Sequence, residues 1–301
     1  MGIQQISVLK HNGFGLLAGS TLLSRLGDIV AGLGFIYLAY RLTQSQTAPT
    51  GVALAEVVPY LLFGLIGGII SDSLPKLRVM TVANWCRAAV EGTVVIALLL
   101  DVFPVWMLIV ALFLLQLGGV IYNPCSRATI VHIVESDRRV AANSVMSLIE
   151  NVTSIIAPFL ASAILLFDEF LWMFFAFDGL SFVLSAVLLS RLGSSARSDE
   201  LLTSPPVADE SSSVIRTAVF RVKVFWSGVG TSNTLILIFI STFFAVLCGT
   251  WAWRMGTLFI SVPNPDSPTW FYSLLLAIYA IAGILTGYYR PLRPWRTVQV
   301  Q

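Results

Sequence analysis

The feature that most constrains this 301-residue chain is a succession of apolar runs, each about as long as a bilayer is thick. A hydrocarbon core of about 30 Å takes about 20 helical residues. Eight stretches reach that length: Gly13–Tyr40, Gly51–Ile70, Val79–Leu100, Val105–Tyr122, Val140–Phe167, Phe170–Leu189, Thr234–Trp253 and Trp270–Tyr289. Transmembrane strands are about ten residues long and alternate in polarity, whereas these runs are longer and continuously apolar. They predict helices. Hydrophobic residues make up 56% and charged residues 11%, against about 25% charged in soluble domains, and the mean hydropathy is +0.84. So little polar surface cannot cover a water-exposed globule, and the expected fold class is all-α, a polytopic membrane protein.

Other classes fall away on the same residues. A formal charge of +2 is too small for a nucleic-acid binder. Cys86, Cys125 and Cys248 include no close pair, which excludes a disulfide framework and a CxxC metal or redox site. His11 and His132 are too far apart to suggest a histidine metal site, so no metal and no cofactor are expected. There is no nucleophile elbow and no Gly-rich phosphate loop, and an enzyme is not expected. The first apolar run is too long for a cleavable signal peptide, and no small-residue cleavage pattern follows it.

The connecting charges predict an orientation in the cell membrane. With both termini cytoplasmic, the inside segments hold Lys10; Lys76 and Arg78; Arg127, Arg138 and Arg139; Arg191, Arg197, Arg216, Arg221 and Lys223; and Arg290, Arg293 and Arg296. Only Arg41 and Arg254 fall outside, while Arg25 and Arg87 lie within spans. The Ser-, Pro- and acid-rich stretch 193–213 reads as a cytoplasmic linker, and the basic, apolar stretch after it as an interfacial segment. This divides the chain into a six-helix bundle (1–192), a linker (193–233), and two helices of a second bundle with a basic tail (234–301). A weak repeat supports duplication: Pro49-Thr50, Gly64, Gly68 and Pro75 recur as Pro268-Thr269, Gly283, Gly287 and Pro294, all at one offset.

Between the second and third spans runs Gly67-Gly68-Ile69-Ile70-Ser71-Asp72-Ser73-Leu74-Pro75-Lys76-Leu77-Arg78. An acid at the membrane edge and two cations after a proline turn suit a charge cluster that pairs with a neighbouring helix end and breaks when a bundle rocks. The plainer reading is an ordinary positive-inside loop. The spacing resembles the signature loop of the major facilitator superfamily, Gly-x-Leu-Ala/Ser-Asp-Arg-x-Gly-Arg-Arg/Lys, with Gly68, Ser71, Asp72 and Lys76 in matching places and Pro75 at the second glycine. Three further stretches resemble the multidrug, macrolide and siderophore exporter branch: Ser24-Arg25-Leu26-Gly27-Asp28, Asn123-Pro124-Cys125-Ser126-Arg127-Ala128 after span 4, and Phe177-Asp178-Gly179-Leu180-Ser181-Phe182. The resemblance implies a transporter fold and a cytoplasmic gate of Gly68, Asp72, Pro75, Lys76, Arg78 and Arg127. Superfamily members usually have twelve spans, so an eight-span chain reads as truncated. Two antiporter features also depart: span 4 lacks the expected Arg in Phe113-Leu114-Leu115-Gln116-Leu117-Gly118, and span 5 has Ala157-Pro158 and Ala161-Ser162 in place of a Gly-Pro-x-x-Gly-Gly run.

Ionisable groups at membrane depth are costly and mark functional sites by default. Arg25 and Asp28 are three residues apart, and Arg87 and Glu91 four apart, so each pair can neutralise itself within its helix or line a cavity. Glu56, Glu150 and Asp178 have no basic neighbour in their own helix. Glu56 is near a span end and can reach water. Glu150 belongs to a polar stripe of Asn143, Ser147, Glu150, Ser154 and Pro158, expected to face a wet cavity or another helix. Asp178 heads a shorter stripe with Ser181 and Ser185, fit either for helix packing or for a cavity. Glu150 and Asp28 lead as coupling groups. The resulting expectation is a secondary transporter, exporting amphipathic small molecules against protons, with the bilayer, a small-molecule substrate and a proton as partners. The alternative is a truncated, transport-inactive remnant.

Overall fold

The computed structural model describes residues 8–9, 13–45, 48–165 and 170–194. The seventh and eighth spans, the linker after residue 194 and the far half of the repeat lie outside the described residues. Six long helices follow in chain order: α1 (Phe14–Thr43), α2 (Ala48–Ser73), α3 (Lys76–Leu99), α4 (Val105–Ile133), α5 (Arg139–Leu165) and α6 (Trp172–Gly193). They fall on the first six apolar runs. Five are individually long and apolar enough to cross a membrane, and α2 reaches that length as a bent pair.

Local chemistry sets the ends. Gly13 enters α1 at φ 80°, and Gln44 closes it in the left-handed region, its N–H donating to Tyr40 O at 2.8 Å. Pro75 and Pro104 stand just before α3 and α4, where a residue without an N–H leaves no donor unsatisfied. One boundary differs from expectation. Asn123–Ala128 does not follow the fourth helix but belongs to it, because α4 continues through Pro124 to Ile133. At 1.5 Å per residue it is about 44 Å long, longer than a hydrocarbon core of about 30 Å. α2 bends by 56° between Ala55–Gly64 and Ile66–Ser73, beyond the internal Pro59 and at a glycine, the usual sources of a kink.

α6 packs along both α1 and α3, α4 packs along α2 and α3, and α5 leans on α1. Close approach depends on residues without a Cβ. A Cβ at Gly27 would strike the side chains of Asp178 and Ser181, and one at Gly67 would strike the carbonyl of Val120. The bundle interior forms three layers. One apolar cluster includes Val30, Phe35, Leu112, Phe174 and Phe182. A second includes Phe14, Leu17, Leu77, Met80 and Leu192. Between them α1, α3 and α6 contribute Ser20, Ser24, Asp28, Asn84, Arg87, Glu91, Asp178, Ser181 and Ser185. The outside is apolar: Leu62, Leu100 and Trp106 are 63%, 65% and 65% exposed, as expected where the surroundings are acyl chains.

Candidate functional site

The middle layer is organised around Arg87, about three turns into α3. Its side chain is 4% exposed, and its Nη2 donates to Asp28 Oδ1 of α1. The guanidinium carbon lies 4.0 Å from the ring centre of Phe182 on α6, a cation–π contact. Gly118 of α4 makes room for the stem, since a Cβ there would sit 2.6 Å from Arg87 Cγ and Cδ. Four helices thus converge on one guanidinium. Of the two readings open for these groups, pairing within one helix is not the arrangement found. Arg87 takes Asp28 of α1 and not Glu91 of its own helix, and Arg25 takes Glu150 of α5, at 3.8 Å, and not Asp28. Packing supplies these partners: α6 packs against both α1 and α3, which sets Asp28 beside Arg87, and α5 packs against α1, which sets Glu150 beside Arg25.

Glu91 and Asp178 are fully buried, at 0% and 1% exposure. Glu91 sits against Gly179, and its carboxyl adjoins that of Asp178. Among the described residues, neither Glu91 oxygen has a hydrogen-bond donor within reach; two carboxyls in contact form a hydrogen bond only through a shared proton. Asp178 also accepts from Ser181 Oγ at 3.1 Å. The layer therefore holds three carboxyls, Asp28, Glu91 and Asp178, around one guanidinium.

A hydroxyl and amide network extends this layer toward the end that carries the α2–α3 loop. Ser20 of α1 bonds Ser185 of α6 at 2.7 Å and Tyr122 of α4 at 3.2 Å, and Asn84 of α3 donates to Ser185 at 2.7 Å. Of these four, the sequence pattern points to Ser185 alone. A partial signal exists for Asn84, because Asn84, Arg87 and Glu91 follow one another at helical spacing, but the partners on α1 and α4 depend on tertiary packing.

The remaining candidates lie apart. Arg25 and Glu150 have side chains 43% and 46% exposed. The α5 stripe runs from exposed Asn143 and Ser147 through half-buried Glu150 and Ser154 to buried Pro158. Glu56 lies alongside α1, where a Cβ at Gly32 would be 3.6 Å from its Oε1. At the loop end, Asp72 is exposed on the last turn of α2, Lys76 and Arg78 occupy the first turn of α3, and Arg127 is exposed on α4. A Cβ at Gly68 would meet nothing within 4 Å, so the close contact belongs to Gly67 instead. Among the described residues, no group of His, Cys, Asp or Glu is arranged to hold a metal ion.

Comparison with known proteins bears on these helices. A sequence profile of the Major Facilitator Superfamily matches residues 17–299. Macrolide efflux protein A of Streptococcus pyogenes is 21% identical over 139 residues, 46% of this chain and 34% of that protein. The matched part thus spans about a third of the relative's length. A variant of the peptide transporter POT in complex with alafosfalin superposes with a TM-score of 0.61 at 16% identity, covering 92% of this chain and 67% of that one. POT in complex with sulfate gives 0.59 at 16%, covering 93% and 70%. At such identity the likeness shows a common fold.

Proposed function

Because the chain belongs to the Major Facilitator Superfamily, a family of multi-pass membrane transporters, we propose that it exports amphipathic small molecules in exchange for protons. The observation that carries this reading is the buried carboxyl pair Glu91–Asp178 beside the Asp28–Arg87 ion pair. Taking ions out of water costs several kcal/mol each. Three carboxylates around one guanidinium would leave the layer with two excess negative charges, and a proton between Glu91 and Asp178 relieves one of them. Loading or releasing that proton changes the charge that α1, α3 and α6 must accommodate at their contact, which couples protonation to helix packing. Relatedness to a macrolide efflux protein supports the direction and the amphipathic substrate class.

Arg25 and Glu150 are half-exposed on facing helices; in this reading they line the cavity and exchange their mutual contact for substrate. Glu56 contributes from α2. At the loop end, the charges oppose the local helix dipoles. Asp72 stands at a helix C-terminus, and Lys76 and Arg78 at a helix N-terminus; each placement is unfavourable by about 0.3–1 kcal/mol. Such charges are not there to stabilise their own helices. With Pro75 and Arg127 they form a cytoplasmic latch that opens as the bundles rock. Residues 1–192 are one bundle, 193–233 the linker, and 234–301 part of the second bundle, with both termini cytoplasmic.

The test is energised efflux of dyes and macrolides from cells producing the full chain. Wild type is expected to lower accumulation, and Glu91→Gln to abolish that effect while still reaching the membrane. Equal efflux by wild type and Glu91→Gln would remove the carboxyl pair from the mechanism. No efflux by wild type would favour a transport-inactive chain.

A further inference from the structure

Outside the central layer, a groove of about 700 Å³ runs along the bundle surface between α3 and α4, ending at the α2–α3 loop. Its walls are apolar: Val82 and Val90 on α3, Leu114 and Ile121 on α4, and Leu74 at the loop. Val82, Leu74 and Leu114 are 54%, 39% and 44% exposed, which places the opening on the lipid-facing side. The stem of Arg87 closes its deep part, and Arg78 stands at its mouth. Arg78 is exposed and has no hydrogen bond or ion pair with any described residue. Among the described residues, no side chain caps the first turn of α3 beside it, where Pro75 is the N-cap, and Lys76 lies in the same turn.

We propose that this groove binds one anionic phospholipid of the leaflet on the Arg78 side, with its phosphate at Arg78 and an acyl chain along the α3–α4 wall. Two features select this occupant. Arg78 and Arg87 are nine residues apart on one helix, about 14 Å, which matches one leaflet's share of a hydrocarbon core of about 30 Å. Among the described residues that line the groove, the charged group at its mouth is Arg78, a guanidinium with no hydrogen bond or ion pair, and the first turn of α3 beside it adds Lys76 and amides without a side-chain cap. A zwitterionic lipid would bring its own cation to the same place. Lipid binding here does not rest on the transport reading, although Arg78 also belongs to the latch proposed above.

Native mass spectrometry of the delipidated full chain tests it, with phosphatidylglycerol and phosphatidylcholine added in mixed micelles. Wild type is expected to retain one phosphatidylglycerol in preference to phosphatidylcholine. Arg78→Gln should cut that preference about fivefold, the worth of one basic residue at a membrane surface. Val82→Trp should fill the groove and remove both adducts; if it fails to fold, Leu114→Trp on the opposite wall serves. Arg191→Gln, which removes an exposed cation on α6 away from the groove, should leave binding unchanged. Equal losses in Arg78→Gln and Arg191→Gln would reduce the effect to general attraction and overturn the site. So would an adduct that survives groove filling, or displacement by glycerol phosphate alone, which would mean a headgroup site without a chain.

Discussion

Removing either partner of the Asp28–Arg87 pair is expected to have unequal effects, and the inequality follows from where each side chain lies. Asp28→Asn leaves Arg87 at 4% exposure without its principal counter-ion. A guanidinium cannot shed its proton, so the charge stays buried. Breaking a buried pair in this way costs about 3–5 kcal/mol; the lower end applies because Glu91 lies one turn along the same helix and the Phe182 ring remains in place. Arg87→Met leaves carboxyls, which can bind protons, and Asp28 is itself 38% exposed. Its cost should be about half as large. The double variant leaves no unpaired cation and should recover most of the loss, since apolar replacement of an ion pair is often near neutral. At about 2–4 °C per kcal/mol, the Asp28→Asn loss corresponds to a fall of about 6–12 °C in melting temperature. Thermal unfolding of the purified chain in detergent, followed by intrinsic tryptophan fluorescence, reads the whole cycle. Arg87→Met as damaging as Asp28→Asn, or a double variant whose loss is the sum of the singles, would refute the argument.

Other perturbations separate the remaining contacts. Gly67→Val should destabilise by about 1–3 kcal/mol through overpacking against the Val120 carbonyl, whereas Gly68→Ala should leave the melting temperature unchanged; equal effects would contradict the assignment of the close contact. Ser185→Ala should cost about 1–3 kcal/mol by orphaning the Asn84 amide and leaving Ser20 with Tyr122 alone, with Tyr122→Phe milder because a single 3.2 Å bond is lost; the same thermal assay ranks them. Reporter fusions after residue 194 should give a cytoplasmic signal, and an exterior one would invert the orientation.

The helices were legible because span length and apolar continuity are local properties, and α1 to α6 coincide with the first six runs. The end of α4 was not, because Asn123 and Pro124 look like a stop until the helix is seen to carry its polar residues past the apolar zone. Asp28, Arg87, Glu91 and Asp178 were all visible as costly charges in the sequence. Their partnership was not: Arg25 with Asp28 and Arg87 with Glu91 are the near choices along one helix, and only the packing of α1, α3, α5 and α6 decides otherwise. Gly27 and Gly118 carried the hint, as small residues opposite Asp178 and Arg87, but which side chain each admits depends on the fold.

Proton release on ligand binding addresses the transport mechanism most directly. Purified chain in weakly buffered solution with a pH-sensitive dye would be mixed with a macrolide or dye that it binds. Wild type should release protons as ligand binds, while Glu91→Gln and Asp178→Asn should bind ligand without releasing them. Ligand binding by wild type with no proton released, or undiminished release from both variants, would contradict a proton held at the Glu91–Asp178 contact.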